Sequence, residues 1–271
     1  MKAFVTLPTF NESRNIESLI REIRRHAPQI GIVVADDDSP DGTWRIVEGI
    51  SQRDPNVFLL RRVTNKGRGT AGVDAFRFAL GHQADAVIEM DADFSHDPKH
   101  IPQFLEKIKE FDLVIGSRKV AQGQDLRNSR LRKWITSLST SYSRIVLGLP
   151  VRDCNSGYRC FRREVLQAIH LDTILSRGPS IVQELLFKTH LLGFSICEIP
   201  IVFVEREAGT SKLSFGRLLR GFWMVLKLKG LHLLGKLESP RRSQNNTPNE
   251  PKIRSSPHGG GEKVPDVHPH P

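Results

Sequence analysis

Short apolar segments alternate with helical patterns along the first part of the chain. Four continuous apolar segments predict strands, at 2–7, 31–35, 57–60 and 87–90. Between them, apolar residues at helical spacing, such as Ile16, Leu19 and Ile23, predict amphipathic helices. Because these strand segments are mostly apolar and do not alternate with polar residues, they should be buried on both faces. The pattern therefore predicts an α/β fold with a mostly parallel central sheet flanked by helices.

The same alternation continues in the second part of the chain. Further strands are predicted at 113–118 and 197–204. Shorter helices are predicted at 101–108, 165–169 and 181–192. A longer helix is predicted over 131–147, and we expect four of its residues to face the core: Trp134, Ile135, Leu138 and Tyr142.

Two segments of different character follow at the C-terminal end. Residues 213–237 place apolar residues at helical spacing and Arg217, Arg220 and Lys227 on the other face, which predicts a basic amphipathic helix. Such a helix lies either in a membrane interface or against the domain, and the pattern allows both. The last 34 residues, 238–271, contain seven of the sixteen prolines and few large apolar residues, so they are predicted to be disordered.

The formal net charge is +10, and most of the excess lies in one block of the chain. Between Ser117 and Arg163 there are eleven Lys and Arg residues but two acids, Asp125 and Asp153. Such a block suits phosphates, whether of nucleic acid, an anionic lipid or a phosphorylated substrate. Nucleic acid is the least favoured of these, because the block has few interleaved aromatic residues and no recognised binding module.

The chain has no segment that predicts secretion or membrane insertion. Its first residues form a short apolar strand rather than a signal peptide, and no apolar segment approaches the roughly 20 residues needed to cross a bilayer. The three cysteines, Cys154, Cys160 and Cys197, fit neither a zinc motif nor a disulfide framework. We therefore expect a cytoplasmic protein whose membrane contact, if any, is peripheral.

Two carboxylates follow the strand at 87–90. Asp91 and Asp93 are two residues apart, so on an extended chain they point to the same side and can bind one hard cation, Mg²⁺ or Mn²⁺. An acidic strand end is also common in solvated turns. The loops at 8–12, 36–43 and 66–70 should lie on the same rim, because ligands of parallel sheets bind beyond the carboxyl ends of the strands. Their convergence favours a ligand site over a simple turn.

These residues resemble the motif series of the family-2 inverting glycosyltransferases. The nearest subgroup is the dolichol- or polyprenol-phosphate mannosyltransferases. The likeness covers about residues 1–229, with its motifs in order at 8–12, 36–43, 91–96, 116–118, 153 with 156–159, and 206 with 209–213. The series as a whole is far more specific than any one of its members.

The resemblance implies a GT-A fold and a single, metal-dependent transfer of mannose from GDP-mannose to a polyprenyl phosphate, with inversion. It implies a catalytic domain at 1–212, with a nucleotide-binding half at 1–116 and an acceptor half at 117–212. The protein would then sit peripherally on the cytoplasmic face of a membrane. It would be held there by the amphipathic helix or by a small membrane-anchoring subunit.

Roles are carried over residue by residue. The nucleotide contacts implied by the resemblance are Pro8, Phe10, Glu12, Asp37, Ser39 and Asp91. The metal contacts, to Mg²⁺ or Mn²⁺, are Asp91, Asp93 and Ser95. The catalytic set comprises Asp93 and four cations that would hold the lipid phosphate and the donor diphosphate: Arg118, Arg132, Arg206 and Lys212. Relatives commonly carry Gly-Leu-Gly where this chain has Gly67-Arg68-Gly69.

Other functions remain open at the level of sequence. A polyprenyl-phosphate glucosyltransferase, or another hexosyltransferase that uses a UDP-sugar, would carry the same motifs, because no residue that we can name reads the configuration of the sugar. A phospho-acceptor signalling domain would also place acids after a strand, as at 34–37, but would be about half this length. A nucleic-acid-binding protein is supported by the charge alone.

Overall fold

The computed structural model describes residues 1–205 and 215–237. Its strands are β1 Ala3–Thr9, β2 Gly31–Asp36, β3 Val57–Arg61, β4 Ala86–Glu89, β5 Leu113–Ser117, β6 Gln124–Asp125, β7 Arg159–Arg162, β8 Ile196–Pro200 and β9 Val202–Phe203. Its helices are α1 Ile16–His26, α2 Thr43–Ser51, α3 Arg68–Gly81, α4 Ile101–Lys107, α5 Arg130–Leu147, α6 Arg163–Ala168, α7 Ile181–Leu191 and α8 Phe215–Leu233.

Seven strands form one sheet in the order β3-β2-β1-β4-β7-β5-β8. All neighbouring pairs are parallel except those of β7, which runs antiparallel to both β4 and β5. The expected mostly parallel sheet is therefore confirmed. The strand expected at 197–204 is divided into β8 and β9, because Pro200 lacks the amide that would continue the ladder, and β9 pairs with β6 in a separate two-stranded sheet.

Both faces of the sheet are buried, as the continuous apolar strands predict. In β2, Ile32 and Val34 pack on one face and Val33 and Ala35 on the other, and all four are fully buried. The first face is covered by α1, whose Ile16, Leu19, Ile20 and Ile23 are all buried as expected. Cys154 and Cys160 are buried free thiols, and Cys197 is a partly buried one.

The expected orientation of α5 is wrong. Trp134 and Leu138 face outwards, 64% and 51% exposed, while Ile135 and Tyr142 are only partly buried. The buried side of α5 consists of Thr140, Ser143 and Leu147. Helical spacing defines a stripe of apolar residues but does not decide which surface that stripe meets. Here the small and polar side of the helix packs against the domain.

The amphipathic helix α8 fits both of its proposed environments. Val225 and Leu228 are buried in the core, so the helix packs on the domain. A second row of apolar residues on the same helix is exposed, consisting of Leu219, Trp223, Leu226 and Leu233. None of the helices in the described ranges has the length and apolar content to cross a membrane. The tail expected to be disordered at 238–271 lies outside the described residues.

Helices α5 and α8 lie side by side. The Tyr142 hydroxyl donates a hydrogen bond of 3.1 Å to the Phe222 carbonyl, and the two rings meet edge to face. Tyr142 follows Leu138 by one helical turn and Phe222 follows Leu219 in the same way, so this contact joins the two exposed rows. We call the combined surface the apolar face: Leu131, Trp134, Leu138 and Ile145 of α5 with Leu219, Trp223, Leu226 and Leu233 of α8.

Candidate active site

A cavity of about 490 Å³ opens at the carboxyl ends of β1, β2 and β4. All four loops expected on this rim contribute to it. The lining residues are Pro8, Thr9, Phe10, Glu12, Asp37, Arg68, Ala71, Asp91, Ala92, Asp93, Asn155, Gly157, Pro179 and Val182. The predicted convergence of separate acidic and glycine-containing loops into one site is thus confirmed.

The end of β2 carries a buried hydrogen-bond network. Asp36 accepts hydrogen bonds from the Thr9 hydroxyl at 2.8 Å and from the Ser39 hydroxyl at 2.7 Å. The Ser39 oxygen in turn accepts the Asn11 amide at 3.0 Å. Ser39 is 1% exposed and does not line the cavity. Its hydrogen bonds link the loop at 8–12 to the loop at 36–43.

Asp37, the next residue, projects into the cavity. One of its carboxylate oxygens accepts the Gly67 amide at 2.7 Å, and the other pairs with the buried guanidinium of Arg62. Arg62 also binds Asp74 of α3 at 2.8 Å. Asp37 is therefore held by the glycine-containing turn that precedes α3, which fixes the position of its carboxylate on the cavity wall.

The chain turns sharply after Asp93. Phe94 adopts a left-handed backbone conformation with φ of 61°, which is uncommon for a bulky residue. This turn brings the amide and hydroxyl of Ser95 back to the Asp93 carboxylate, at 3.1 and 2.5 Å. Strained conformations of this kind concentrate at functional sites. Ser95 does not line the cavity; it orients Asp93, which does.

His96 supports the other carboxylate. Its Nδ1 accepts the Asp91 amide at 3.0 Å, and its ring stacks on Tyr158 at 5.0 Å between centroids. Burial lowers the pKa of His96, although the Asp91 and Asp93 carboxylates oppose that shift. The ring therefore favours its neutral form, in which Nδ1 can accept this hydrogen bond. His96 positions the backbone of Asp91 through this hydrogen bond.

Arg68, the first residue of α3, lines the cavity. Its guanidinium binds Asp91 Oδ1 at 2.8 Å and Glu89 Oε1 at 3.1 Å. Burial alone would lower the pKa of Arg68, but Asp91 and Glu89 outweigh it and raise that pKa, so the side chain is cationic. Gly157 leaves room for this arrangement, since a Cβ at that position would lie 3.0 Å from Arg68 Nη2.

Arg118 and Arg132 lie outside the lining of the cavity. Arg118 forms a bidentate pair with Asp153, with both contacts at 2.7 Å, and its guanidinium lies 5.0 Å from the centroid of the Phe203 ring. Arg132, on α5, pairs with Glu205 at 3.3 Å. Arg206 and Lys212 fall outside the described residues. Of the predicted set, the cavity thus brings together Pro8, Phe10, Glu12, Asp37, Asp91 and Asp93.

Among the lining residues that sequence reasoning gave no role, Asn155 and Arg68 have side chains that make specific polar contacts. Asn155 donates to Ser139 and Thr140 of α5 at 3.0 and 3.2 Å, and accepts from Gln183 at 2.6 Å, so it links the cavity to that helix. Nothing in its local sequence points to this role. The sequence did mark Arg68, because it is a charged residue between two glycines at the start of a helix. Its partners could not be read from the sequence, because they are more than twenty residues away.

The donor atoms at this site suit a hard cation that is shared with a substrate. Asp91 and Asp93 supply carboxylate oxygens to one cavity. In the part of the chain that the structure describes, no group of three or more His, Cys, Asp or Glu residues is arranged to hold a metal ion. Mg²⁺ is commonly bound by one or two carboxylates together with substrate phosphates and water. The residues present fit that mode of binding.

A second, shallow cavity of about 400 Å³ lies beside α5. Its lining is basic and hydroxylated, and consists of Lys119, Thr140, Ser141, Arg144 and Arg152. Ser141 follows Leu138 by one helical turn and precedes Ile145 by another. The basic cavity therefore borders the apolar face.

Comparison with known proteins gives consistent matches. The model of the family described as Glycosyl transferase family 2 matches residues 4–169. Undecaprenyl-phosphate mannosyltransferase of Micrococcus luteus is 41% identical over 216 residues, covering 80% of this chain and 89% of that protein. Polyprenol monophosphomannose synthase of Mycolicibacterium smegmatis is 36% identical over 227 residues, covering 83% and 85%. Dolichol-phosphate mannosyltransferase of Pyrococcus furiosus is 35% identical over 238 residues, covering 85% and 65%.

Solved structures share the architecture at lower identity. Glucosyl-3-phosphoglycerate synthase from Mycobacterium tuberculosis, in complex with Mn²⁺, UDP and glucosyl-3-phosphoglycerate, superposes with a TM-score of 0.60. The identity is 21%, and the match covers 88% of this chain and 81% of that one. At this identity the likeness concerns the fold.

Proposed function

The chain belongs to glycosyl transferase family 2 and has the GT-A fold, and we propose that it transfers mannose from GDP-mannose to the phosphate of a polyprenol, with inversion. The observation that carries this proposal is the cavity in which Asp91 and Asp93 meet the nucleotide-side residues Phe10, Glu12 and Asp37. It lies at the strand ends where nucleotides bind in parallel sheets. The similarity to mannosyltransferases that act on polyprenyl phosphates supports the choice of acceptor.

The proposed reaction is a single displacement. A phosphate oxygen of the acceptor attacks C1 of mannose as the bond from C1 to the β-phosphate of GDP breaks, and GDP departs with that electron pair. The acceptor is already ionised at neutral pH, so the attack needs no dedicated general base. Positioning and charge neutralisation then supply most of the rate enhancement. A Mg²⁺ or Mn²⁺ ion held by Asp91 and Asp93 would supply positive charge to the departing diphosphate.

In this proposal, arginine and lysine side chains of the chain bind the phosphate of the acceptor. Asp153 holds Nε and Nη2 of Arg118, which leaves Nη1 as the guanidinium nitrogen that this partner does not engage. Arg132 lies on α5, next to the apolar face. We assign both to the acceptor phosphate, together with Arg206 and Lys212. Pro8 keeps its nucleotide-side role in this proposal, whereas Ser39 supports the nucleotide side through Asp36 and Ser95 supports the metal site through Asp93.

Access to a lipid substrate comes from the apolar face. Eight large apolar side chains exposed on two adjacent helices form a surface suited to the interface of a bilayer. The neighbouring basic cavity, with Lys119, Arg144 and Arg152, suits anionic lipid headgroups. We propose peripheral attachment to the cytoplasmic face of a membrane, with the bilayer itself covering this surface. Coverage by a membrane-anchoring subunit is the competing arrangement.

The donor is tested by transfer of label. Purified protein is incubated with Mn²⁺, polyprenyl phosphate and labelled GDP-mannose or UDP-glucose, and radioactivity in the lipid fraction is measured. We expect label from GDP-mannose alone. Equal or greater transfer from UDP-glucose would replace mannose by another hexose, and no transfer from either donor would refute the proposal.

The role of Asp93 is tested by substitution. We expect Asp93→Asn to lower kcat at least about 100-fold, because it weakens the hold on the metal ion that would neutralise the developing negative charge of the leaving group. Asp97→Asn is the matched control, since Asp97 lies four residues away and caps a short helix with its side chain. Its activity should stay within about threefold of the unchanged protein. Undiminished activity of Asp93→Asn would contradict the assignment.

A further inference from the structure

Arg68 places a fixed positive charge inside the donor cavity. The two carboxylates that it bridges, Glu89 and Asp91, follow one another at the end of β4 and just beyond it. Glu89 is fully buried, and its second oxygen, Oε2, has no hydrogen-bond partner among the described residues. The side chain of Arg68 is itself only 24% exposed. This guanidinium therefore lies among acids that would otherwise form a concentrated negative site.

The other buried arginine nearby does not take over this task. Arg159 directs its guanidinium to the backbone carbonyls of Cys154, Ser156 and Val182. Arg68 thus neutralises Glu89 and Asp91 by direct contact. Without it, the Asp91 and Asp93 carboxylates would face the cavity with Glu89 buried beside them. Carboxylate oxygens are the ligands that hard divalent cations prefer, so this pair would attract such an ion even without a substrate.

We propose that Arg68 is a resident cation that keeps free divalent ions out of the empty cavity, so that the metal enters together with the diphosphate of the nucleotide. The inference rests on the proposed function, since it concerns the same donor site. A guanidinium on Asp91 Oδ1 competes directly with a metal for that oxygen and repels a second cation nearby. A diphosphate changes this balance, because it supplies further oxygen ligands to the metal.

The diphosphate also offers Arg68 a new partner. Arginine binds phosphate oxygens in the same two-pronged geometry in which it binds carboxylates. Arg68 already lines the cavity, so a bound diphosphate would lie within its range of movement. Release of Asp91 by Arg68 and binding of the metal by Asp91 then become one event. The coupling between nucleotide and metal binding is the measurable consequence.

The test measures Mn²⁺ binding by the electron paramagnetic resonance signal of the free ion, with and without GDP. For the unchanged protein we expect Mn²⁺ to bind at least 10-fold more tightly when GDP is present. In Arg68→Leu, the affinity for Mn²⁺ without GDP should rise at least 10-fold, and the gain caused by GDP should shrink by a similar factor. Arg68→Lys keeps a positive charge and should retain most of the discrimination.

Two further variants keep the result interpretable. Arg77→Leu removes a cation of the same helix that pairs with Asp74 and Asp172, away from Asp91, and should bind Mn²⁺ as the unchanged protein does. Because Arg68→Leu leaves Glu89 buried without its cation, it is also combined with Glu89→Gln. In the combined variant, Glu89→Gln removes the buried charge that Arg68→Leu would leave without a partner. The Mn²⁺ affinity of this variant should still exceed that of the unchanged protein.

The inference is overturned if Arg68→Leu and the combined variant bind free Mn²⁺ no more tightly than Arg77→Leu does. It is also overturned if neither GDP nor UDP increases the affinity of the unchanged protein for Mn²⁺. Neither readout requires sugar transfer. Failure to transfer mannose would therefore refute the donor assignment while the Mn²⁺ measurements, repeated with UDP, still decide the role of Arg68.

Discussion

At the residue scale, the pair formed by Arg118 and Asp153 shows how burial and charge act together. Asp153 is fully buried and Arg118 nearly so, and the two groups meet through two hydrogen bonds. Burial alone would raise the pKa of Asp153, but the Arg118 guanidinium outweighs it and holds that pKa below its ordinary value. A pair of this kind is costly to break, because removing one partner leaves the other charge buried and alone.

This pair gives a prediction for stability and pH. We expect Asp153→Asn to lower the free energy of unfolding at neutral pH by about 3 kcal/mol. Since the pKa of Asp153 is lower in the folded than in the unfolded chain, its contribution is complete above about pH 4 and is lost as pH falls below that value. Denaturant unfolding between pH 7 and pH 3 should show a smaller acid-dependent loss for Asp153→Asn than for the unchanged protein.

A surface pair provides the control for that measurement. Asp172 binds Arg77 at 2.5 Å, but the Asp172 side chain is 90% exposed. Exposed pairs contribute little, so Asp172→Asn should change stability by less than about 0.5 kcal/mol at every pH. If Asp153→Asn is equally mild, the buried pair with Arg118 contributes no more to stability than an exposed pair does.

At the scale of elements, α5 and α8 both bury one side and expose another that is apolar. Their exposed rows meet through Tyr142 and Phe222 rather than covering one another. Monomeric soluble domains seldom leave so many large apolar side chains together on the surface. The packing of Val225 and Leu228 also means that α8 cannot be deleted to test its role, because its removal would open the core.

Point substitutions on the apolar face test membrane contact without that difficulty. We expect Trp134→Gln with Trp223→Gln to weaken binding to vesicles containing anionic lipid at least 10-fold, since each buried aromatic ring contributes about 1.5–3 kcal/mol. Both side chains are exposed, so the free energy of unfolding should change by less than about 1 kcal/mol. Co-sedimentation with liposomes measures the first quantity and denaturant unfolding the second.

The matched control lies off this face. Val63 is 61% exposed in the loop after β3, and Val63→Gln should leave vesicle binding unchanged. Should the double tryptophan variant sediment with vesicles as well as Val63→Gln does, the bilayer is not what covers the apolar face. A protein partner would then become the better explanation of that surface.

At the scale of the whole molecule, the cavity joins loops that follow three different strands to the start of α3. Hydrogen bonds from Asn11 to Ser39 and from Gly67 to Asp37 already connect these loops. A ligand that contacts them all would bind the folded chain and not the unfolded one. Its binding energy therefore adds to the stability of the whole unit.

This linkage predicts a nucleotide-dependent rise in Tm. GDP with Mn²⁺, at about 100 times its Kd, should stabilise the fold by about 2.7 kcal/mol, which corresponds to a rise of about 5–10 °C. GDP without Mn²⁺ should produce a smaller rise, and Asp93→Asn should lose the part that depends on the metal. Differential scanning fluorimetry measures these shifts. A larger rise with UDP than with GDP would contradict the proposed donor.

The sequence by itself determined much of the architecture. The strand and helix periods, and the continuous apolar strands, specified a parallel sheet buried on both faces. The spacing of Asp91 and Asp93 and the position of the loops after each strand located the cavity, because side-chain direction along a strand is a local property. These conclusions need no knowledge of which distant residues come into contact.

The tertiary structure alone decided how those elements and side chains are used. It brought Ser39 to the amide of Asn11, 28 residues away in the chain, and set Arg68 on Asp91, 23 residues away. It also inserted β7 antiparallel between β4 and β5, and turned the apolar row of α5 outwards. Each of these depends on contacts between residues far apart in sequence. A local pattern fixes the direction of a side chain on its own element, but it does not specify what the side chain meets.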